Sequence, residues 1–277
     1  RARYAPQICL GAAAGRKTAP DKSDVQFLRR LYLHAVSIII LSMSGNILDP
    51  AAAPPPPMAA RSARLPNSLL YSIFARIGGW GLDTDAFETL RASYHGGFLG
   101  KAIAYDNRQD EIPASKIQSL RWHPVRLLSS LDRPYYYGAK KKYLDWIASR
   151  QLVTRRYDLF HSWSGDCLES LRVTQRMGIP SIVEIPTWHR DFAERVAPRT
   201  EPRRSKRRTP LGRWKNDLVL RSERSIEEYD LATLLLVLSE KAADTFRESG
   251  IAKEKLFYLP RGVDVVRFKP GTRPPLF

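Results

Sequence analysis

"LFYLPRGVDVVRFKP", residues 256–270, starts as a strand-like apolar run, turns on Pro260, Gly262 and Asp264, and leaves in an extended exit closed by Pro270. Proline pre-sets φ and glycine supplies a freedom other residues lack, so the turn has a mechanical origin. A passage of this kind usually hands a chain from one domain to the next. Here the sequence ends at Phe277, shortly after the exit.

Working outward from that passage, the preceding two hundred residues alternate between apolar runs and helical patterns. "LLYSIFARI" (69–77) reads as a strand, "GGWG" as a turn, and "DTDAFETLRASYHGG" as a helix capped by Asp83 or Thr84 and stopped at Gly96 and Gly97. "GKAIAYDN" (100–107) is a second strand and "YDLFHSW" (157–163) a third. Between them lies a basic and aromatic region, "RWHPVRLLSSLDRPYYYGAKKKYLDWIASRQL", helical in parts. The helix "CLESLRVTQRMG" then leads through Gly178 and Pro180 into a strand at "SIVEIP" (181–186). Strands that are apolar on both faces and separated by helices predict an α/β fold: a doubly wound, parallel, Rossmann-like sheet.

Ligands of such sheets gather beyond the carboxyl ends of the strands. Three of those ends stand out: Gly78, Gly79 and Gly81 after the first strand, "HSWSGD" (161–166) after the third, and "TWHR" (187–190) after the fourth. Glycines at a helix N-terminus let backbone N–H groups approach a phosphate, although many such turns are only tight turns. A histidine at a strand end, such as His161, is often a satisfied structural residue, and an aromatic beside it is as often core as binding surface. "GWGLDT" also fits part of a dinucleotide fingerprint, with Thr84 in place of the third glycine and Asp106 near the position of a ribose-binding acid. An NAD-dependent oxidoreductase domain is therefore one alternative.

Composition narrows the field. The 277 residues are 43% hydrophobic, enough for one large α/β domain or two small ones. Cys9 and Cys167 match no metal or redox spacing, and the five histidines form no ligand pattern, so the reading includes no metal and no cofactor and expects a reducing, cytoplasmic setting. The longest apolar segment, "AVSIIILSM" (35–43), is about half of the roughly 20 residues a membrane span requires. It precedes a Pro/Ala-rich stretch, "DPAAAPPPPMAARSA", which cannot pack a core. The chain begins with Arg1, and Met58 directly follows the proline run. Met58 is read as the natural start, and residues 1–67 as a non-native or disordered extension.

The net charge is +17, and residues 190–224 alone hold twelve Lys/Arg against five Asp/Glu. The run "PRTEPRRSKRRTP" reads as a solvated loop. It also suits an anionic membrane surface, placing the protein at the inner face of the membrane, or a phosphorylated acceptor. A basic polyanion-binding module without catalysis is the second alternative. Nucleic acid is not favoured, because no recognised nucleic-acid motif accompanies the charge.

One stretch weighs most among these readings. "EEYDLATLLLVLSEKAADTFRESGIAKEKLFYLPRGVDVVRFKP" (227–270) resembles the end of the N-terminal domain of GT-B fold glycosyltransferases of family 4, also called group 1. Ser239, Gly250, Gly262, Val263, Asp264, Phe268 and Pro270 match that pattern in order, while Arg261 stands where the family commonly has Asn. The resemblance covers about residues 68–270. It implies an acceptor-side Rossmann-like domain over 68–270, with residues 271–277 beginning the linker to a donor domain absent from this chain. It implies a retaining transfer from a nucleotide-sugar donor to a sugar, lipid-linked or other acceptor, and little activity in this half alone. By resemblance, His189 takes the active-site histidine position and Gly78, Gly79 and Gly81 flank the donor diphosphate. His161, Trp163 and Trp188 offer surfaces to the acceptor.

Overall fold

A computed structural model describes residues 68–197, 214, 216–220 and 222–260. The expectations for residues 1–67, for the proline-flanked basic run, and for the turn and exit from Arg261 onward lie outside the described residues.

Seven strands form one parallel sheet in the order β3-β2-β1-β4-β5-β6-β7. They are β1 (Leu69–Ile77), β2 (Leu99–Asn107), β3 (Ile117–Ser119), β4 (Leu159–Trp163), β5 (Ser181–Ile185), β6 (Leu234–Val237) and β7 (Leu256–Tyr258). Among the described residues, the α-helices that accompany them include α1 (Leu82–His95), α2 (Arg133–Thr154), α3 (Leu168–Met177), α4 (Arg190–Val196), α5 (Ser222–Leu231) and α6 (Glu240–Glu248). The strand order reverses between β1 and β4, so the crevice beyond their carboxyl ends is the place a sheet of this type offers to a ligand. The predicted Rossmann-like α/β fold is the fold observed.

Both faces of the central strands are covered, which explains their nearly continuous apolar sequence. One core layer joins Leu70, Phe160, Val183 and Leu235 to Leu144 and Leu152 of α2, Leu171 of α3 and Phe246 of α6. The other joins Leu69, Tyr71, Ile73 and Leu159 to Ala86 and Leu90 of α1. The "YYYGAKKK" stretch helps to seat α2: Lys140 Nζ lies 4.8 Å from the Tyr105 ring centroid on β2 and 5.4 Å from that of Phe74 on β1.

Two local readings need correction. Neither Asp83 nor Thr84 caps α1; the helix begins after Gly81, and Asp83 sits in its first turn. There its Oδ1 accepts a hydrogen bond from the Arg76 amide at 3.1 Å, while Thr84 Oγ1 donates to the Gly79 carbonyl. The sequence reading also passed over β3, whose three residues are too short to show a period.

Candidate functional site

Because β1 runs past the end of β4, the Phe74 amide extends beyond the β1–β4 ladder, which pairs residues 69–72 with 159–162. Asp166, on the loop after β4, accepts that amide at 3.1 Å. Its other carboxylate oxygen lies 2.5 Å from Lys141 Nζ of α2. Burial works against a charge on Lys141, but Asp166 together with Tyr137 and Glu228 outweighs this and holds the ammonium above the ordinary lysine range.

The same loop is gripped from behind. Gly165 adopts φ +91°, a left-handed conformation that glycine takes without strain. This points its amide at Glu228 Oε2, 2.5 Å away. Glu228, on α5, also accepts from the Cys167 amide at 3.2 Å. It is fully buried, and burial pushes its carboxyl up to about 7, against the opposing pull of the Gly165 amide and Arg224.

Cys167 provides no side-chain cap for α3. Asp145, reaching across from α2, takes its place by accepting the amides of Glu169 at 2.8 Å and Ser170 at 2.9 Å. Two carboxylates thus serve the orphan donors and positive dipole end of α3. Arg224 links them, 2.5 Å from Asp145 Oδ2 and 3.8 Å from Glu228 Oε1. Burial raises Asp145 despite the Arg224 guanidinium, and burial with these neighbouring acids raises the Cys167 thiol far above its usual value, leaving it inert at neutral pH.

In front of this scaffold, at the carboxyl ends of β4 and β5, lies a cleft of about 430 Å³. Its walls include Lys141, Ser164, Gly165, Trp188, Arg190 and Arg224. Trp188 belongs to the cleft and is 44% exposed.

The other expected site residues are placed differently. His189 is 3% exposed and is the N-cap of α4: its Nδ1 accepts the Asp191 amide at 3.3 Å, and its ring packs edge-on against Phe246. Its backbone amide is bonded to Thr245 Oγ1 at 2.9 Å. Burial lowers its pKa, so the ring is neutral at pH 7, and an accepting Nδ1 leaves the proton on Nε2.

His161 and Trp163 lie inside the fold rather than on a surface. His161 packs against Tyr71 with ring centroids 5.0 Å apart, and burial drives its pKa down to about 3. Trp163 Nε1 donates to Glu184 Oε2 at 3.0 Å within the core. At the glycine loop, the Gly79 amide is already bonded to the Arg76 carbonyl at 2.9 Å, and a Cβ there would strike the Asp83 carboxylate.

Sequence reasoning missed Lys141, Asp145, Arg224 and Glu228. They come from α2 and α5, nearly ninety residues apart at the extremes, and no local pattern links them. Asp166 was inside the quoted "HSWSGD" and could have been found from its place two residues beyond the loop serine.

A parallel sheet with a strand-order reversal and a cleft at its carboxyl edge defines the Rossmann-like class of ligand-binding α/β domains. Residues 103–267, more than half of the sequence, match the family model Glycosyltransferase Family 4, and the chain belongs to that family. The family resemblance noted in the sequence is thereby confirmed, and the dinucleotide reading gives way to it.

Solved structures to which the chain is similar include UGT71G1 of Medicago truncatula complexed with UDP-glucose, at 12% identity over 74% of this chain and 54% of that one, with a TM-score of 0.41. A UDP-glucosyltransferase from Polygonum tinctorium capable of glucosylating indoxyl matches at 15% identity over 76% of this chain and 54% of that one, with a TM-score of 0.36. Arabidopsis thaliana UGT89C1 matches at 16% identity over 72% and 51%, with a TM-score of 0.33. The chain spans about half the length of these proteins. No curated protein sequence matches it. Among the described residues, no helix is long and apolar enough to cross a membrane.

Proposed function

We propose that residues 68–270 are the acceptor-side, N-terminal half of a GT-B glycosyltransferase that moves a sugar from a nucleotide-sugar donor to an acceptor hydroxyl with retention of configuration. The observation that carries the reading is the cleft at the carboxyl ends of β4 and β5 in a chain of Glycosyltransferase Family 4. Residues 271–277 begin the linker to a donor domain that closes over this edge. The basic segment 190–224 supports contact with an anionic membrane face on the cytoplasmic side.

In this reading Trp188 stacks on a sugar ring, and the hydroxyls of Ser164 and Thr187 at the cleft offer hydrogen bonds to it. His189, neutral with its proton on Nε2, does not line the cleft, so in this reading it reaches a sugar hydroxyl beside Trp188 only when the donor domain closes over this edge. Its capping bond to Asp191 sets the ring's tautomer. The donor diphosphate passes the glycine loop, where it competes with Asp83 for the Arg76 amide. The proposal includes no resident metal. Since one wall of a cleft can neither orient two substrates nor exclude water, the 277-residue chain by itself should turn over little nucleotide sugar.

The test is to incubate the full-length gene product with a panel of nucleotide sugars and candidate acceptors and to read the anomeric configuration of the product by NMR. A retained configuration supports the proposal. An inverted product, or no consumption of any nucleotide sugar by the full-length protein, overturns it.

A further inference from the structure

We propose that Lys141, Arg190 and Arg224 form a phosphate-recognising subsite in the cleft, so that the acceptor this half binds carries a phosphate or diphosphate group. The proposal deepens the reading of this edge as the acceptor side and rests on it.

The distribution of charge around the cleft carries the inference. Among the described residues, every charged side chain lining it is a cation: Lys141, Arg190 and Arg224. The acids that accompany them stand behind. Asp166 holds Lys141 and Asp145 holds Arg224, yet Asp145, Asp166 and Glu228 do not line the cleft. Glu194 lies 3.7 Å from Arg190 Nε, too far for a hydrogen bond.

The acids thus fix two of the cations in position and leave the cationic side facing the space. Such preorganisation suits a tetrahedral anion, because the guanidinium fork and the ammonium are already oriented when it arrives.

The second observation is independent of net charge. Arg190 Nε and Arg224 Nε are both shielded from solvent, and neither has a hydrogen-bond partner among the described residues. Buried donors of this kind are rare: the Glu194 and Glu228 carboxylates stand 3.7 and 3.8 Å away, beyond hydrogen-bond distance, and leave both for an acceptor in the cleft. Two of them border one cleft. A phosphate carries several strong acceptor oxygens and can serve both, whereas a neutral hydroxyl satisfies at most one. Tyr137 and Trp188 on the cleft wall provide apolar faces for the ring that bears the phosphate.

The experiment measures binding to the full 277-residue chain by isothermal titration calorimetry at fixed ionic strength, with inorganic pyrophosphate and glucose 6-phosphate as probes and glucose as the neutral control. Pyrophosphate or the sugar phosphate should bind with a Kd below about 1 mM, and glucose much more weakly. Arg190→Gln should weaken the phosphate probes at least tenfold. Ala193→Glu, which adds a carboxylate to the cleft wall without touching Arg190, should do the same, with thermal midpoints read on the same preparations. Neutralising Arg203, Arg204, Lys206, Arg207 and Arg208 should leave the affinity within about twofold.

A parallel sedimentation arm with vesicles containing anionic phospholipid separates a lipid-borne phosphate from a soluble one. Dependence on Arg190 in either arm supports the subsite and assigns its source. No dependence in both arms overturns it, as does loss of binding in the basic-run variant alone. A full-length enzyme that glycosylates only neutral acceptors would overturn this inference and leave the proposed function standing. Phosphate binding without any transferase activity would do the reverse.

Discussion

Replacing Glu228 by Gln should change how the stability of this domain depends on pH. Glu228 is completely buried, and its carboxyl is pushed up from an ordinary 4.5 to about 7, first by burial. A carboxyl whose folded pKa lies above its unfolded value binds protons more tightly in the folded state. Its contribution is greatest below pH 4.5, falls as the pH rises toward 7, and is level above that. At about 1.4 kcal/mol per pH unit, the span corresponds to on the order of 3 kcal/mol. Glutamine has no proton to lose, so this component of the slope should vanish in Glu228→Gln, whatever the variant's stability at any single pH. The assay is urea unfolding of both proteins at pH 5, 6, 7 and 8, and the quantity to compare is the change in unfolding free energy between pH 5 and 8. The variant should lose about 2.5 kcal/mol less than the parent over that range, since part of the span lies below pH 5. Other titrating groups act on both proteins and cancel in the difference. Parallel curves would show that the Gly165 and Cys167 amides and Arg224 keep Glu228 ionised in the fold, and the burial argument would fail.

His161 should act with the opposite sign. With its pKa driven down to about 3, its contribution is complete above pH 6.5 and is lost as the pH falls toward 3, so His161→Gln should have a shallower acid limb of the stability curve. An unchanged limb would place the charged histidine in the folded state. His189→Ala should lower Tm by several degrees, since it removes an N-cap of about 1 kcal/mol and the ring contact with Phe246. His189→Asn keeps a capping oxygen and should recover part of that loss. In the complete enzyme both should reduce kcat by roughly 10², and normal turnover in folded His189→Asn protein would reassign the residue to structure. Asp83→Asn removes the carboxylate beside Gly79 and should lower the donor KM by a few-fold, about 0.5–1 kcal/mol for a partly exposed charge. An unchanged or higher KM would move the diphosphate away from the glycine loop. Trp188→Ala should raise the acceptor KM with Tm unmoved, because the indole is 44% exposed; a stable variant with an unaltered KM would clear Trp188 of an acceptor role.

The strands were legible because a central parallel strand must be apolar on both faces. "LLYSIFARI" and "SIVEI" carry that requirement in their composition, whereas β3, three residues at the edge, carries almost nothing. Polar residues at strand ends misled for the same reason. His161 and Trp163 look like rim residues when read one at a time, but β4 is buried along its whole length, so they are partners of Tyr71 and Glu184. Asp83 fits the sequence signature of a cap, yet the capping position went to Gly81 because the Asp83 carboxylate is engaged by the Arg76 amide. The cleft cations were hidden by distance along the chain. Lys141 and Arg224 acquire meaning only when α2 and α5 meet over the β4–α3 loop.

That meeting also explains why so much charge is buried behind a cleft. An α-helix that starts at the carboxyl edge of a sheet leaves its first amides unpaired, and the Cys167 side chain in the capping position of α3 does not bond them. Asp145 and Glu228 bond those amides from two other helices, so α2, α3 and α5 are joined at one point of the cleft wall. Buried carboxylates require a cation, and Arg224 lies within reach of both while still lining the cleft. Removing one member of such a set leaves the others uncompensated, so Asp145 and Glu228, which do not line the cleft, govern the position of the groups that do. A mutational survey of this edge guided only by distance to the ligand would pass over the residues that hold it in shape.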